Sequence, residues 1–128
     1  DSRNGTNTAE HFRKYYEGHV YSPDVTFSTK FELKWGQERF FFVSTPWHTA
    51  GSCCIIWNDT TVFTGDSLLL NTPTITRLPG GSTKQYKNIT LPFLKSLPRD
   101  MFVLPGHGPE FRMADVYHGA VHVEFVGV

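Results

Sequence analysis

Three side chains able to bind a metal ion sit in short loops of small residues, each directly after an apolar run. Phe40-Phe41-Phe42-Val43 leads to Thr45-Pro46-Trp47-His48-Thr49, Val62-Phe63-Thr64 leads to Gly65-Asp66-Ser67, and Phe102-Val103-Leu104 leads to Pro105-Gly106-His107-Gly108. Two imidazoles and one carboxylate suit zinc, and they also suit the non-haem iron triad. Small neighbours let the backbone fold tightly around an ion. Singly, each has a plainer reading: a satisfied histidine, an ordinary turn at Gly65-Asp66, and a rigid loop at Pro105 to Pro109. Together, at three strand ends, they form a candidate site, because strand ends of one sheet cluster in space.

The elements that must hold these loops are legible as alternating strands and helices. Thr8 precedes Ala9 to Glu17, where Ala9, Phe12 and Tyr16 fall at helical spacing and Gly18 suits the stop. Val20-Tyr21 reads as a short strand. Phe31, Leu33 and Trp35 alternate with polar residues, and Gly36-Gln37 turns the chain into Arg39 to Val43, a β-hairpin. Ser52 to Trp57, a turn at Asn58-Asp59, and Thr61 to Thr64 make a second hairpin. A loop rich in Thr, Pro and Gly runs from Asn71 to Ser82. Tyr86, Ile89, Phe93, Leu94 and Leu97 then repeat at roughly helical spacing, with Pro92 expected to delay or kink the helix. Met101 to Leu104 is the last clear strand, and a further strand is plausible at Ala120 to Val126. This alternation makes the class α/β.

The loops also carry a resemblance. Thr45-Pro46-Trp47-His48-Thr49-Ala50-Gly51-Ser52 resembles the third motif of the metallo-β-lactamase superfamily, Phe63-Thr64-Gly65-Asp66-Ser67-Leu68 its fourth, and Leu104-Pro105-Gly106-His107-Gly108-Pro109 its fifth. Leu78-Pro79-Gly80-Gly81-Ser82 is similar to a loop of the hydroxyacylglutathione hydrolase (glyoxalase II) branch. The resemblance covers roughly Asp1 to Pro109. It implies an αββα sandwich, of which residues 1–128 form mainly the second half: one mixed sheet with flanking helices, in a single partial domain. It further implies that His48, Asp66 and His107 are metal ligands, with Asp66 bridging two ions and serving the chemistry. His48 and Asp66 would hold one ion, Asp66 and His107 the other, and the loop from Asn71 to Ser82 would border the substrate.

The departures from that pattern are equally specific. The family's second motif, His-x-His-x-Asp-His, lies just before a helix like Ala9 to Glu17. Alignment on that helix puts Asp1, Arg3, Gly5 and Thr6 where His, His, Asp and His are expected. Arg3 would place a fixed cation where an ion should sit. Trp47 replaces a Gly beside His48. The remaining ligands cannot hold two ions well, so the expected cofactor is one zinc ion at most, iron less favoured, or none. A single-iron arrangement similar to the persulfide dioxygenase branch would use Asp1, His48 and Asp66, one His short of the usual triad. The implied function is therefore a degenerate, non-catalytic scaffold or interaction module. The alternative is a metal-dependent thioester or ester hydrolase.

Composition bounds the rest. Lys plus Arg and Asp plus Glu are both 12, so nothing marks a nucleic-acid or anionic-membrane partner, and no apolar run is long enough to span a bilayer. The 11 Phe residues supply a core, and they also suit an interaction surface. Phe40 to Val43 and Cys53 to Trp57 are too apolar for a solvated sheet face, so another protein chain or an N-terminal half is expected to cover it. Cys53 and Cys54 are adjacent and unsuited to an internal bridge, which favours an intracellular compartment. Asn4-Gly5-Thr6, Asn58-Asp59-Thr60 and Asn88-Ile89-Thr90 match the glycosylation pattern, as a Thr-rich chain does by chance. His118 and His122 have a helical metal-site spacing, but their surroundings read as strand.

Overall fold

Alternating apolar residues and tight turns build a six-stranded sheet in the order β1-β2-β3-β4-β5-β6. The computed structural model describes residues 22–70 and 81–117. The expected helix at Ala9 to Glu17, the strands at Val20-Tyr21 and Ala120 to Val126, most of the loop from Asn71, and the positions Asp1, Arg3, Gly5 and Thr6 lie outside the described residues.

Strands β1 (Lys30–Trp35) and β2 (Glu38–Ser44) form the first hairpin, with Trp35 opposite Glu38. Gly36 turns the chain at φ +61°, a region open to glycine at little steric cost. Strands β3 (Cys53–Trp57) and β4 (Thr61–Gly65) form the second. Its turn places Asn58 and Asp59 at φ 50° and 57°, and these are the side chains that tolerate left-handed backbone best after glycine. Asn58 Oδ1 accepts from the Arg39 amide at 2.9 Å, so the second turn is tied to the first hairpin. Strand β5 (Phe102–Pro105) returns parallel to β4 after a helical crossover, and β6 (Phe111–Arg112) closes the sheet antiparallel to β5.

The crossover corrects one expectation. The helix does not wait for Pro92; of the two expected effects, the late start is overturned, and a local irregularity stands just before the proline. The helix begins at Thr83, where Ser82 Oγ accepts from the Gln85 amide at 3.2 Å, an N-terminal cap. A π-helical stretch, Tyr86–Thr90, follows, and the Leu91 amide donates to the Tyr86 carbonyl five residues back. The α-helix Leu91–Ser96 then carries Pro92 in its first turn. Proline lacks an N–H and its ring crowds the carbonyl four residues earlier. Widening the preceding turn relieves that conflict without ending the helix. Tyr86, Thr90, Leu94 and Leu97 are all buried, so one helical stripe survives the irregularity. A short helix, Met113–Tyr117, follows β6.

The two sheet faces differ sharply. On one, Cys54, Val62, Val103 and Phe111 pack with Tyr86, Leu94 and Leu97 of the crossover, and this is the core. Residues directly opposite across strands share a face, so register assigns the other face to Phe31, Leu33, Phe40, Trp57 and Phe63 among others. There Leu33, Trp57 and Phe63 are exposed, and Trp35 is 77% exposed. The aromatic rings on this face still cluster: Phe40 stacks on Trp57 at 6.5 Å, and Phe31 and Phe42 lie 6.2 Å apart. No helix of the described residues is long and apolar enough to cross a membrane.

Candidate functional site

Strands β2 and β4 both run antiparallel to β3, and β5 runs parallel to β4. The C-terminal ends of β2, β4 and β5 therefore emerge at one edge of the sheet. The loops holding His48, Asp66 and His107 start there, each one to four residues beyond its strand.

The His48 loop is closed on itself and anchored from outside. Thr45 N donates to Ser52 O at 2.9 Å, and Thr49 N donates to Ser52 Oγ at 3.0 Å. The crossover holds it as well: Ser82 N donates to Trp47 O at 2.6 Å and Thr90 Oγ1 to Pro46 O at 3.0 Å. Trp47, which the sequence marks as bulk beside the site, is 2% exposed and belongs to the core. Its indole donates to Ser67 Oγ at 2.7 Å, and its ring meets Tyr86 edge-on at 5.4 Å and His48 at 5.3 Å. Tyr86 Oη donates to Ser67 O at 3.1 Å. Trp47 thus ties the His48 loop to the residue that follows Asp66. Residue-type reasoning missed this strut, although a tryptophan in place of glycine was its only visible sign.

The Asp66 and His107 loops lock together through backbone. Gly106 N donates to Gly65 O at 2.7 Å, and Gly65 takes φ +53°. Asp66 Oδ1 and His107 Nε2 then meet at 3.2 Å. A pocket of about 130 Å³ opens beside them, lined by Trp47, His48, Ser52, Cys53, Thr64, Gly65, Asp66 and Ser67. The structure therefore pairs Asp66 with His107 and sets His48 and Asp66 on the walls of one pocket. Among the described residues, no three His, Cys, Asp or Glu side chains are gathered closely enough to hold an ion as they stand.

Whether these residues suit a metal turns on one atom. His48 Nδ1 is buried and has no hydrogen-bond partner. Leaving such a group unsatisfied costs on the order of 1–3 kcal/mol. Two imidazoles, a carboxylate and a solvent position satisfy tetrahedral zinc, so the donor chemistry fits one ion.

Both cysteines are free. Burial raises the Cys53 thiol above the ordinary value and pushes Cys54 up to about 11. The stability owed to a neutral Cys54 is thus full below the ordinary thiol pKa and lost as pH rises through about 11. Since the thiolate is the nucleophile, native protein at neutral pH is expected to take up a thiol alkylator slowly, at Cys53 and not at Cys54. Mass spectrometry before and after denaturation checks this; rapid native labelling of Cys54 would contradict its complete burial.

Comparison with known proteins places this arrangement. No family model matches the sequence. An uncharacterized protein of Aquifex aeolicus (strain VF5) is 34% identical over 89 residues, which are 69% of this chain and 42% of that protein. Among solved structures, ETHE1 from Myxococcus xanthus superposes with a TM-score of 0.66 at 28% identity, over 77% of this chain and 45% of its own. TTHA1623 in a di-iron-bound form gives 0.53 at 31% identity, over 59% and 38%. The B3 metallo-β-lactamase BLEG-1 gives 0.61 at 26% identity, over 76% and 47%. The chain spans less than half the length of each of these relatives. Its mixed six-stranded sheet with few helices matches the second half of the metallo-β-lactamase α/β fold.

Proposed function

We propose that this chain is a degenerate metallo-β-lactamase-fold module that acts as a scaffold or interaction module and not as a catalyst. The observation that carries the reading is the reduced ligand set of the described site, where His107 engages Asp66 and, among the described residues, no three His, Cys, Asp or Glu side chains gather closely enough to hold an ion. A sheet that exposes Trp35 at 77%, together with Leu33, Trp57 and Phe63, is built to be covered. In the same molecule the described site offers only His48, Asp66 and His107, and Asp66 is engaged by His107 at 3.2 Å. Asp1, Arg3, Gly5 and Thr6 stand where the resemblance expects the other ligands. The partner is another protein chain or an N-terminal half, with no nucleic acid or membrane. Two free thiols suit an intracellular compartment.

A second reading, a metal-dependent thioester or ester hydrolase of the glyoxalase II-like branch, draws on the unpartnered His48 Nδ1 in the pocket that Asp66 also lines. Single zinc binding by His48, Asp66 and His107 would supply Lewis acidity there. Iron is the lesser fit, although one solved relative is described as di-iron-bound.

Elemental analysis of the purified protein decides between them, alongside thioester hydrolysis with added zinc or iron. One equivalent of metal or less is expected, with turnover indistinguishable from the His48→Ala and Asp66→Ala variants. Two equivalents and metal-dependent turnover, both lost in those variants, would overturn the scaffold reading.

A further inference from the structure

We propose that Tyr86 of the crossover is a positioning residue for a single zinc ion, holding the His48 and Asp66 loops at a fixed spacing through Trp47 and Ser67. The inference rests on the one-ion limit of the reading above and names what sets the affinity of that site.

His48 and Asp66 line one pocket, and each has a buried neighbour in sequence. Trp47 precedes His48 and Ser67 follows Asp66, and the Trp47 indole donates to Ser67 Oγ at 2.7 Å. Tyr86 engages both neighbours. Its hydroxyl donates to Ser67 O at 3.1 Å, and its ring meets the Trp47 ring edge-on at 5.4 Å. All three side chains are buried, so these bonds act in a low-dielectric interior, where they are stronger than at the surface. The end of the crossover that carries Tyr86 is itself fixed to the same loop. Ser82 O accepts from Tyr86 N at 3.1 Å, while Ser82 N donates to Trp47 O at 2.6 Å.

The sheet alone does not impose this spacing. Strands β2 and β4, which launch the two loops, are separated by β3 and share no ladder bonds. Beyond the strand ends, the Trp47–Ser67–Tyr86 relay is what joins one loop to the other. As they stand, the donors among the described residues are not gathered around one point, so the loops must move to take up an ion. A loop already held near its bound position loses less freedom on binding than a released one. Removing the Tyr86 hydroxyl frees the Ser67 carbonyl beside Asp66, and zinc binding should weaken although every donor atom remains.

The test is the zinc affinity of the full 128-residue chain, by competition with a chromophoric chelator, paired with urea denaturation of the same samples. Tyr86→Phe keeps the buried ring and should lower zinc affinity by about tenfold or more, as loss of an outer partner of a metal site does. Trp47→Phe, which lacks the indole donor, should act in the same direction. Leu97→Ala, in the core at the far end of the crossover, should destabilise the protein yet leave zinc affinity within about twofold, since sites without shared partners act independently. Zinc should also raise the urea midpoint of the parent more than that of Tyr86→Phe, because ligand binding and stability are linked. Equal affinity in the parent and Tyr86→Phe would overturn the proposal. So would tighter binding by the variant, which would mean that the relay holds the donors apart. A loss in Leu97→Ala as large as in Tyr86→Phe would also overturn it, because general stability then sets the affinity. A parent that takes up no zinc would overturn it and leave the non-catalytic reading intact, whereas metal-dependent turnover would overturn that reading alone.

Discussion

Replacing Trp47 with alanine is expected to destabilise the protein by about 3–5 kcal/mol, the cost of deleting a large buried aromatic side chain. The loss has three sources. Trp47 is 2% exposed in the centre of the core, so its removal leaves a cavity. The Ser67 hydroxyl, buried with it, loses its 2.7 Å donor. Tyr86 and His48 lose the ring they meet edge-on. A domain of this size has a total stability of roughly 5–15 kcal/mol, so the variant should melt roughly 10–20 °C lower. Trp47→Phe keeps most of the packing but not the indole N–H, and about 1–2 kcal/mol is expected for it. Urea denaturation of the three proteins gives the ranking. If Trp47→Ala stays within about 1 kcal/mol of the parent, the tryptophan is not the strut between the His48 loop, Ser67 and the crossover.

Much of this structure is legible in the residues, and the remainder fails for physical reasons. Strands β1 to β5 follow from short apolar runs with turn residues between them, and the site loops follow from the small residues after β2, β4 and β5. Sequence also shows that Phe40 to Val43 and Cys53 to Trp57 are too apolar for a solvated face. It does not show which face the crossover covers, because β3 is apolar on both sides: Cys54 and Ile56 turn to the core, while Ile55 and Trp57 turn away. The helix illustrates a different limit. Pro92 argues for a late start, but Ser82 caps the chain ten residues earlier and a π turn absorbs the ring. That outcome depends on Tyr86 and Thr90 being buried, a tertiary gain that local propensity does not contain. Strand β6 and the helix Met113–Tyr117 were invisible for a related reason. Two strand residues carry no periodicity, and their position rests on Met113 N donating to Met101 O at 3.0 Å and Ala114 N to Arg99 O at 2.8 Å.

Trp47 links the first site loop to the second, and Gly106 links the second to the third, so its substitution is expected to have the next largest effect. A Cβ at Gly106 would lie 2.9 Å from Asp66 Oδ1, 3.1 Å from Gly65 C and 3.2 Å from Gly65 O. The backbone cannot retreat easily, because Gly106 N donates to Gly65 O at 2.7 Å. The Asp66 carboxylate must therefore swing, and the swing breaks its 3.2 Å contact with His107 Nε2. Gly106→Ala should cost about 1–3 kcal/mol by overpacking, and Gly106→Val more. Gly108→Ala is the control: it has open space around it but sits at φ +80°, so its cost is conformational, about 1–2 kcal/mol, and leaves Asp66 untouched. Zinc titration then separates two pictures of the site. If Asp66 is held in place to serve as a ligand, Gly106→Ala lowers zinc affinity although every donor atom remains, while Gly108→Ala does not. Equal zinc binding by both variants and the parent would mean that the position of Asp66 is immaterial to the metal, and that the tight fit of Gly106 against it serves packing alone.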